Sequence, residues 1–152
     1  GEARAIVGAL LAVGISDIRV SNLTRTRAEA VAALAGTSEN SGVVRVFDWA
    51  ARAQAAEGAT LLVNTTSLGM QGAPALDMSL DTLAAKATVA DIVYVPLETD
   101  LLARARSQGH MPANGLGMLV HQAAHAFDLW FGQHPAFDNV LRDYLHRDLG
   151  EA

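Results

Sequence analysis

The chain opens with apolar residues at helical spacing. Between residues 2 and 13 they recur every three or four positions, so this segment is predicted to form an amphipathic helix. Gly14 is expected to end the helix, because glycine readily adopts the left-handed conformation found after helices. The residues expected on the buried face are Ala5, Ile6, Ala9, Leu10 and Val13.

Short strands and helices alternate through the rest of the chain. The predicted strands cover residues 17–21, 43–47, 60–64 and 89–94, and the predicted helices cover 24–35, 101–107, 116–131 and 136–146, with Asp48 capping one more short helix. The apolar run at 60–64 is typical of a strand in a buried parallel sheet. This alternation indicates an α/β fold with a doubly wound parallel sheet. Since such a fold has a strand before its first helix, we expect that strand to be missing.

Composition narrows the classes of protein and partner. The 152 residues are enough for one domain, 1–152, and a content of 51% hydrophobic and 18% charged residues excludes a disordered segment. The net charge of −5 argues against nucleic acid or an anionic membrane as a partner. The absence of cysteine excludes disulfides and thiolate metal sites. No apolar run is long enough to span a bilayer and the start does not resemble a signal peptide, so we expect a cytoplasmic location.

The turn after residues 17–21 carries two arginines and no acid. In dinucleotide-binding folds this turn meets the adenosine ribose, where an acid favours NAD and an arginine accepts the 2′-phosphate of NADP. Arg25 and Arg27 therefore favour NADP, although both also fit as solvated residues of a helix start. Gly1 lies where helix amides receive a pyrophosphate, but an arbitrary chain end explains it equally well.

Three further segments place polar or small residues at predicted ligand-binding positions. Residues 63–72 and 91–99 end predicted strands, and open α/β sheets bind ligands at the carboxyl ends of their strands. Tyr94 either faces a cleft or ends a core strand. Residues 114–127 begin a helix with two glycines, which allow a ligand to approach the backbone closely.

The helix that begins in residues 114–127 also carries a histidine pair. His121 and His125 are four residues apart, a spacing that superficially suggests a metal site. The sequence offers no evident third ligand, so we interpret them as ordinary helix histidines and predict no metal site. Gln122 follows Met118 by one turn, so both lie on the same face.

Five segments in this order resemble the shikimate dehydrogenase family. They are Ala3–Ile6, Asn64–Met70, Asp91–Tyr94, Gly115–Ala124 and Phe127–Gly132, and the likeness between them extends over almost the whole chain. The resemblance implies the C-terminal, Rossmann-like NADP-binding domain of that family, with the N-terminal substrate domain and most of the glycine-rich turn absent.

The resemblance also implies roles for individual residues. Those implied for the adenosine 2′-phosphate are Asn22, Thr24 and Arg27; for the strand end beside the cofactor, Asn64, Thr65 and Ser67; for the nicotinamide, Ile92, Gly115 and Met118; and for the substrate, Tyr94 and Gln122. Leu23 stands where the family usually has arginine, which weakens the expected preference for NADP, with Arg25 as a possible substitute. Asn114 replaces the usual aspartate.

The implied reaction is the NADPH-dependent reduction of 3-dehydroshikimate to shikimate, a step of chorismate and aromatic amino-acid biosynthesis. The implied partners are this substrate and the absent N-terminal domain, which in the family supplies an acid/base lysine and aspartate. Lys86 is the one lysine of this chain. It precedes a predicted strand, at the end opposite the edge of the sheet that binds ligands, so we do not expect it to act as the acid/base lysine. We therefore expect this chain alone to be inactive. A quinate/shikimate or aminoshikimate dehydrogenase relative, or a non-catalytic nucleotide-binding module, is the alternative.

Overall fold

The computed structural model describes residues 1–37 and 43–150 and has helices and parallel strands in alternation. The helices are α1 (Glu2–Ala12), α2 (Arg25–Ala32), α3 (Arg52–Ala55), α4 (Asp100–Ser107), α5 (Leu116–Phe131) and α6 (Asn139–Gly150), with 3₁₀ turns at Ala33–Thr37 and Trp49–Ala51. The strands are β1 (Asp17–Asn22), β2 (Val43–Asp48), β3 (Leu61–Asn64), β4 (Thr88–Asp91) and β5 (Met111–Ala113). The predicted α/β class is confirmed.

The strands form two parallel sheets, in two compact units. The first unit comprises Gly1–Ala59 with Met78–Ala84 and contains the pair β1–β2. The second comprises the remaining described residues and contains the order β3–β4–β5. The sequence-based assignment of residues 1–152 to one domain stays a prediction.

The core of the first unit forms where α1 and α2 pack on β1. Its buried centre consists of Val7, Leu11, Ile18 and Val31. The predicted buried face of α1 is therefore wrong in part. Val13 is 76% exposed and Ala5 and Ala9 are also exposed, whereas Leu10 is half-buried and packs against this core. The physical reason is that alanine and other apolar residues lie all around α1, so spacing alone does not select the face that packs.

The second unit is built around β4, which pairs with β3 on one side and β5 on the other. Val89 at its centre is fully buried, and α4 covers the sheet with Leu101 and Leu102. The strand β5 was not predicted from the sequence, because it has only three residues and includes Pro112. The apolar run of β3 is only partly buried, with Leu61 at 39% exposure, which fits its place at one end of this sheet.

The two C-terminal helices carry several exposed apolar residues. α5 has the predicted bounds and ends at Gly132, which is left-handed with φ 65°, while α6 begins three residues later than expected. The most exposed large apolar side chains of this region are Leu129, Trp130, Phe131, Val140 and Tyr144. Among the described helices, none combines the length and apolar character needed to cross a membrane.

Candidate functional site

In the first unit, the candidate residues lie on the turn that joins β1 to α2. Asn22 ends the strand, and its side-chain oxygen accepts a hydrogen bond from the backbone N–H of Thr24 at 2.8 Å. Thr24 occupies the N-cap position of α2, but its hydroxyl makes no capping hydrogen bond. The turn is thus shaped by Asn22, and the hydroxyl of Thr24 is left exposed beside it.

Arg25, the next residue, is held by two carboxylates. Its Nε donates to Glu29 Oε1 at 2.9 Å, and its Nη1 donates to Asp48 Oδ1. These two acids, Asp48 foremost, raise the pKa of Arg25 above its ordinary value. The guanidinium that the sequence offered as a substitute phosphate ligand therefore already has two anionic partners.

Asp48 is a functional candidate that the sequence reasoning did not identify. It was predicted to cap a short helix, and it does occupy the N-cap position of the 3₁₀ turn at Trp49–Ala51, but its side chain makes no capping hydrogen bond. In the parallel register Asp48 pairs with Asn22, so the carboxyl ends of both strands lie side by side. The signal that could have revealed it is that parallel strands end at the same edge.

Arg27 differs from Arg25 in having no side-chain partner within the described part of the chain. Its side chain is exposed and makes no hydrogen bond or ion pair with any residue that the structure describes. Leu23, on the same turn, is 70% exposed. Gly1 is exposed at the N-cap of α1, and a side chain there would meet no described atom within 4 Å.

In the second unit, three buried polar residues form a hydrogen-bonded network at the ends of β3 and β4. Asn64, Asp91 and Thr99 are 3%, 2% and 1% exposed. Asp91 Oδ1 accepts from Asn64 Nδ2 and from the Val93 backbone N–H, both at 3.0 Å. Its Oδ2 accepts from the Thr99 hydroxyl at 2.8 Å, and Thr99 in turn caps α4. One carboxyl group thus links two strand ends to the start of a helix.

Asn64 also shapes the loop that follows β3. Its Nδ2 donates to the Leu68 carbonyl at 3.0 Å, and its Oδ1 accepts from the backbone N–H and the hydroxyl of Thr66 at 3.0 and 2.8 Å. Every polar atom of this amide is therefore engaged within the protein. Thr65 and Ser67 lie on the loop with half-buried and exposed side chains, and neither makes a side-chain hydrogen bond to another described residue.

Gly115 begins α5 in tight contact with the end of β4. Its N–H donates to the Val93 carbonyl at 3.1 Å. A Cβ at this position would lie 2.1 Å from the Ile92 carbonyl oxygen, so no residue with a side chain fits without backbone movement. Asn114 accepts from the Leu116 N–H at 3.3 Å, a capping role that its amide oxygen performs without a charge. Ile92 and Met118 are half-buried around this junction.

The two candidate substrate residues, Tyr94 and Gln122, are both exposed in the second unit. His121 and His125 are exposed on α5 as well, and the described residues contain no cluster of three or more His, Asp or Glu able to hold a metal. Lys86 is exposed and lies two residues before β4, at the end of the strand opposite Asp91, as its sequence position predicts.

Comparison with known proteins gives consistent matches. Residues 115–142 match the model of the shikimate 5′-dehydrogenase C-terminal domain. A shikimate dehydrogenase (NADP(+)) of Paramagnetospirillum magneticum is 50% identical over 145 residues, which are 95% of this chain and 51% of the relative. The chain therefore spans about half the length of the curated relatives it matches.

Two solved structures agree in fold. The quinate dehydrogenase of Corynebacterium glutamicum in complex with NAD has a TM-score of 0.82 and 31% identity, covering 98% of this chain and 52% of that one. The shikimate 5-dehydrogenase of Listeria monocytogenes in complex with shikimate and NAD has a TM-score of 0.79 and 28% identity, again over 98% and 52%. The predicted Rossmann-like fold is confirmed, and the chain belongs to the shikimate dehydrogenase family.

Proposed function

We propose that the protein containing this chain is an NADP-dependent shikimate dehydrogenase, and that these residues supply its cofactor-binding part. The observation that carries the proposal is the exposed guanidinium of Arg27, which has no partner among the described residues and lies in the first turn of α2, after a connection without an acid. Such a group binds a phosphate without first losing another ion pair. The name of the P. magneticum relative, which is aligned with 95% of this chain, supports the same cofactor.

Each unit offers residues that fit one part of the cofactor. In the first unit, Arg27 and the exposed hydroxyl of Thr24 suit the 2′-phosphate, and Asn22 holds the turn that presents them. The first amides of α1, after Gly1, suit a pyrophosphate. NADPH, when bound, supplies the hydride that reduces the 3-keto group of 3-dehydroshikimate.

The second unit offers residues for the nicotinamide and its ribose. The hydroxyls of Thr65 and Ser67 make no hydrogen bond to any described residue. Gly115 has no side chain, so a ligand can approach the backbone at the start of α5. Ile92 and Met118 add half-buried apolar surface. The amide of Asn64 is fully engaged, so we assign it to shaping the loop that presents Thr65 and Ser67.

Tyr94 and Gln122 are assigned to the substrate, because an exposed phenol and an exposed amide can hydrogen-bond to the hydroxyls of shikimate. Carbonyl reduction also needs a proton donor for the developing alkoxide. We place that donor outside this chain, because Lys86 lies at the amino end of β4.

A second candidate is oxidation of quinate with NAD. The C. glutamicum quinate dehydrogenase, whose structure contains NAD, favours it, as do the absence of arginine at position 23 and the presence of Asp48 beside the turn. Both candidates predict the same fold, so only cofactor and substrate preference separate them.

The test joins this chain to the remaining half of the P. magneticum relative and measures kcat/KM for shikimate and quinate with each cofactor. We expect shikimate with NADP⁺ to give the highest value. Higher values with quinate or with NAD⁺ would overturn the corresponding part of the proposal.

Replacement of Arg27 tests the phosphate site directly. Loss of one charge-assisted phosphate contact should cost about 1.5–3 kcal/mol, or roughly 10- to 150-fold in NADP⁺ affinity, with little change for NAD⁺. The matched control is Arg45→Ala, which removes an exposed arginine paired with Asp17 toward the other end of the same strands. Equal losses for NADP⁺ and NAD⁺ in Arg27→Ala would contradict the assignment.

A further inference from the structure

We propose that Arg25 is a positioning residue for cofactor choice. By pairing with Asp48, it masks an acid that would otherwise favour the 2′-hydroxyl of NAD over the 2′-phosphate of NADP. The inference rests on the proposed function, and it gives Arg25 a role distinct from the direct phosphate contact assigned to Arg27.

The first step is the position of Asp48. It is the last residue of β2 and pairs in register with Asn22, the last residue of β1. Neighbouring strands lie about 4.8 Å apart, so this acid stands one strand spacing from the turn assigned to the adenosine phosphate. The Asp48 side chain is 67% exposed and can therefore face a ligand at this edge.

The second step is the balance of charge around the turn. Arg25 and Arg27 are positive and Glu29 and Asp48 are negative, so these four side chains sum to zero. Without Arg25 the sum is −1. Charges one strand spacing apart are closer than the Debye length of about 8 Å at physiological salt, so a nearby phosphate would be repelled. A ribose hydroxyl, in contrast, can donate a hydrogen bond to a free carboxylate.

The third step is the difference between the two arginines. Nε and Nη1 of Arg25 are already bound to Glu29 and Asp48, so a phosphate would have to share this cation with two acids. Arg27 has no such competitor among the described residues. Arg25 is therefore better placed to neutralise Asp48 than to bind the phosphate itself.

The experiment measures binding of 2′,5′-ADP and 5′-AMP to the joined protein by isothermal titration calorimetry, with circular dichroism to report whether each variant is folded. In Arg25→Ala the preference for 2′,5′-ADP should fall by roughly fivefold, the size of one charge–charge interaction in water. The double variant Arg25→Ala with Asp48→Asn should recover the wild-type preference. Arg25→Lys, which keeps the charge, should retain it.

A second double variant shows which acid matters. Arg25→Ala with Glu29→Gln should stay as weak as Arg25→Ala, because Glu29 lies one helical turn farther along α2. Recovery with Glu29→Gln, or no recovery with Asp48→Asn, would overturn the inference, the latter by showing that Arg25 binds the phosphate directly. A joined protein with the wild-type sequence but no preference for 2′,5′-ADP would instead refute the phosphate site itself, and the inference with it.

Discussion

The turn after β1 and the strand ends of β3 and β4 both carry candidate ligand-binding residues, but they are built in opposite ways. The first is an exposed arrangement of ion pairs around Arg25, beside which Arg27 pairs with none of the residues that the structure describes. The second is a buried network in which Asp91 joins Asn64 to Thr99. The charged groups of the first arrangement can exchange partners with a ligand, whereas the polar groups of the second are buried and already hydrogen-bonded to one another.

This difference separates recognition from positioning. Exposed ion pairs contribute little to stability, typically below about 1 kcal/mol, so the charges after β1 can change with small cost to the fold. Buried hydrogen bonds to a carboxylate are costly to break, and a polar group left without a partner adds a desolvation cost. We therefore expect substitutions after β1 to alter ligand preference, and substitutions in the β3–β4 network to alter stability and activity together.

The largest expected effect is the absence of turnover in the isolated chain. We assign the proton donor for the ketone oxygen to residues outside this chain, because Lys86 lies at the amino end of β4. Purified residues 1–152 should give no change in NADPH absorbance with shikimate and NADP⁺, although the same assay detects the joined protein. Turnover approaching that of the joined protein would show that the catalytic groups lie within these residues.

Gly115→Ala should cause the next largest effect. The new Cβ would lie 2.1 Å from the Ile92 carbonyl oxygen and 2.8 Å from that of Val93, which forces the start of α5 away from β4. We expect a loss of about 3 kcal/mol or more in the free energy of unfolding, measured by urea denaturation.

The matched control for Gly115→Ala is Gly117→Ala. A Cβ there meets nothing within 4 Å and the residue lies within α5, so it should stabilise the protein by up to about 1 kcal/mol. Similar losses in both variants would mean that the contact with the end of β4 is not the cause.

Thr99→Val tests the buried network itself. The substitution keeps the shape of the side chain but removes the hydrogen bond to Asp91 and the cap of α4, so we expect a loss of about 2 kcal/mol in unfolding free energy. Thr99→Ser keeps the hydroxyl and should recover most of this loss. If Thr99→Val left the free energy of unfolding unchanged, the contrast between the two regions would fail, because the network would then be no more costly to disturb than the exposed ion pairs.

The same contrast explains what could be predicted from the sequence. The motifs that contain Asn64, Asp91 and Gly115 were found, and the alternation of elements gave the fold class. That these residues are buried could not be predicted, because polar residues at strand ends look alike in sequence whether they face a ligand or each other. The pair of Arg25 and Asp48 was missed for a different reason, since it joins residues 23 positions apart that only the parallel pairing of β1 and β2 brings together.

The smallest expected effect belongs to Gln122, which lies exposed on α5 beyond the buried network. If it hydrogen-bonds to the substrate, Gln122→Ala in the joined protein should lower kcat/KM for shikimate by about 2- to 13-fold, equivalent to roughly 0.5–1.5 kcal/mol for one neutral hydrogen bond. The KM for NADP⁺ should stay nearly unchanged, because no cofactor contact is assigned to this amide. Gln133→Ala, which removes an exposed amide just past the end of α5, is the matched control and should change neither constant. A rise in the KM for NADP⁺ with normal use of shikimate would reverse the assignment and move Gln122 to the cofactor.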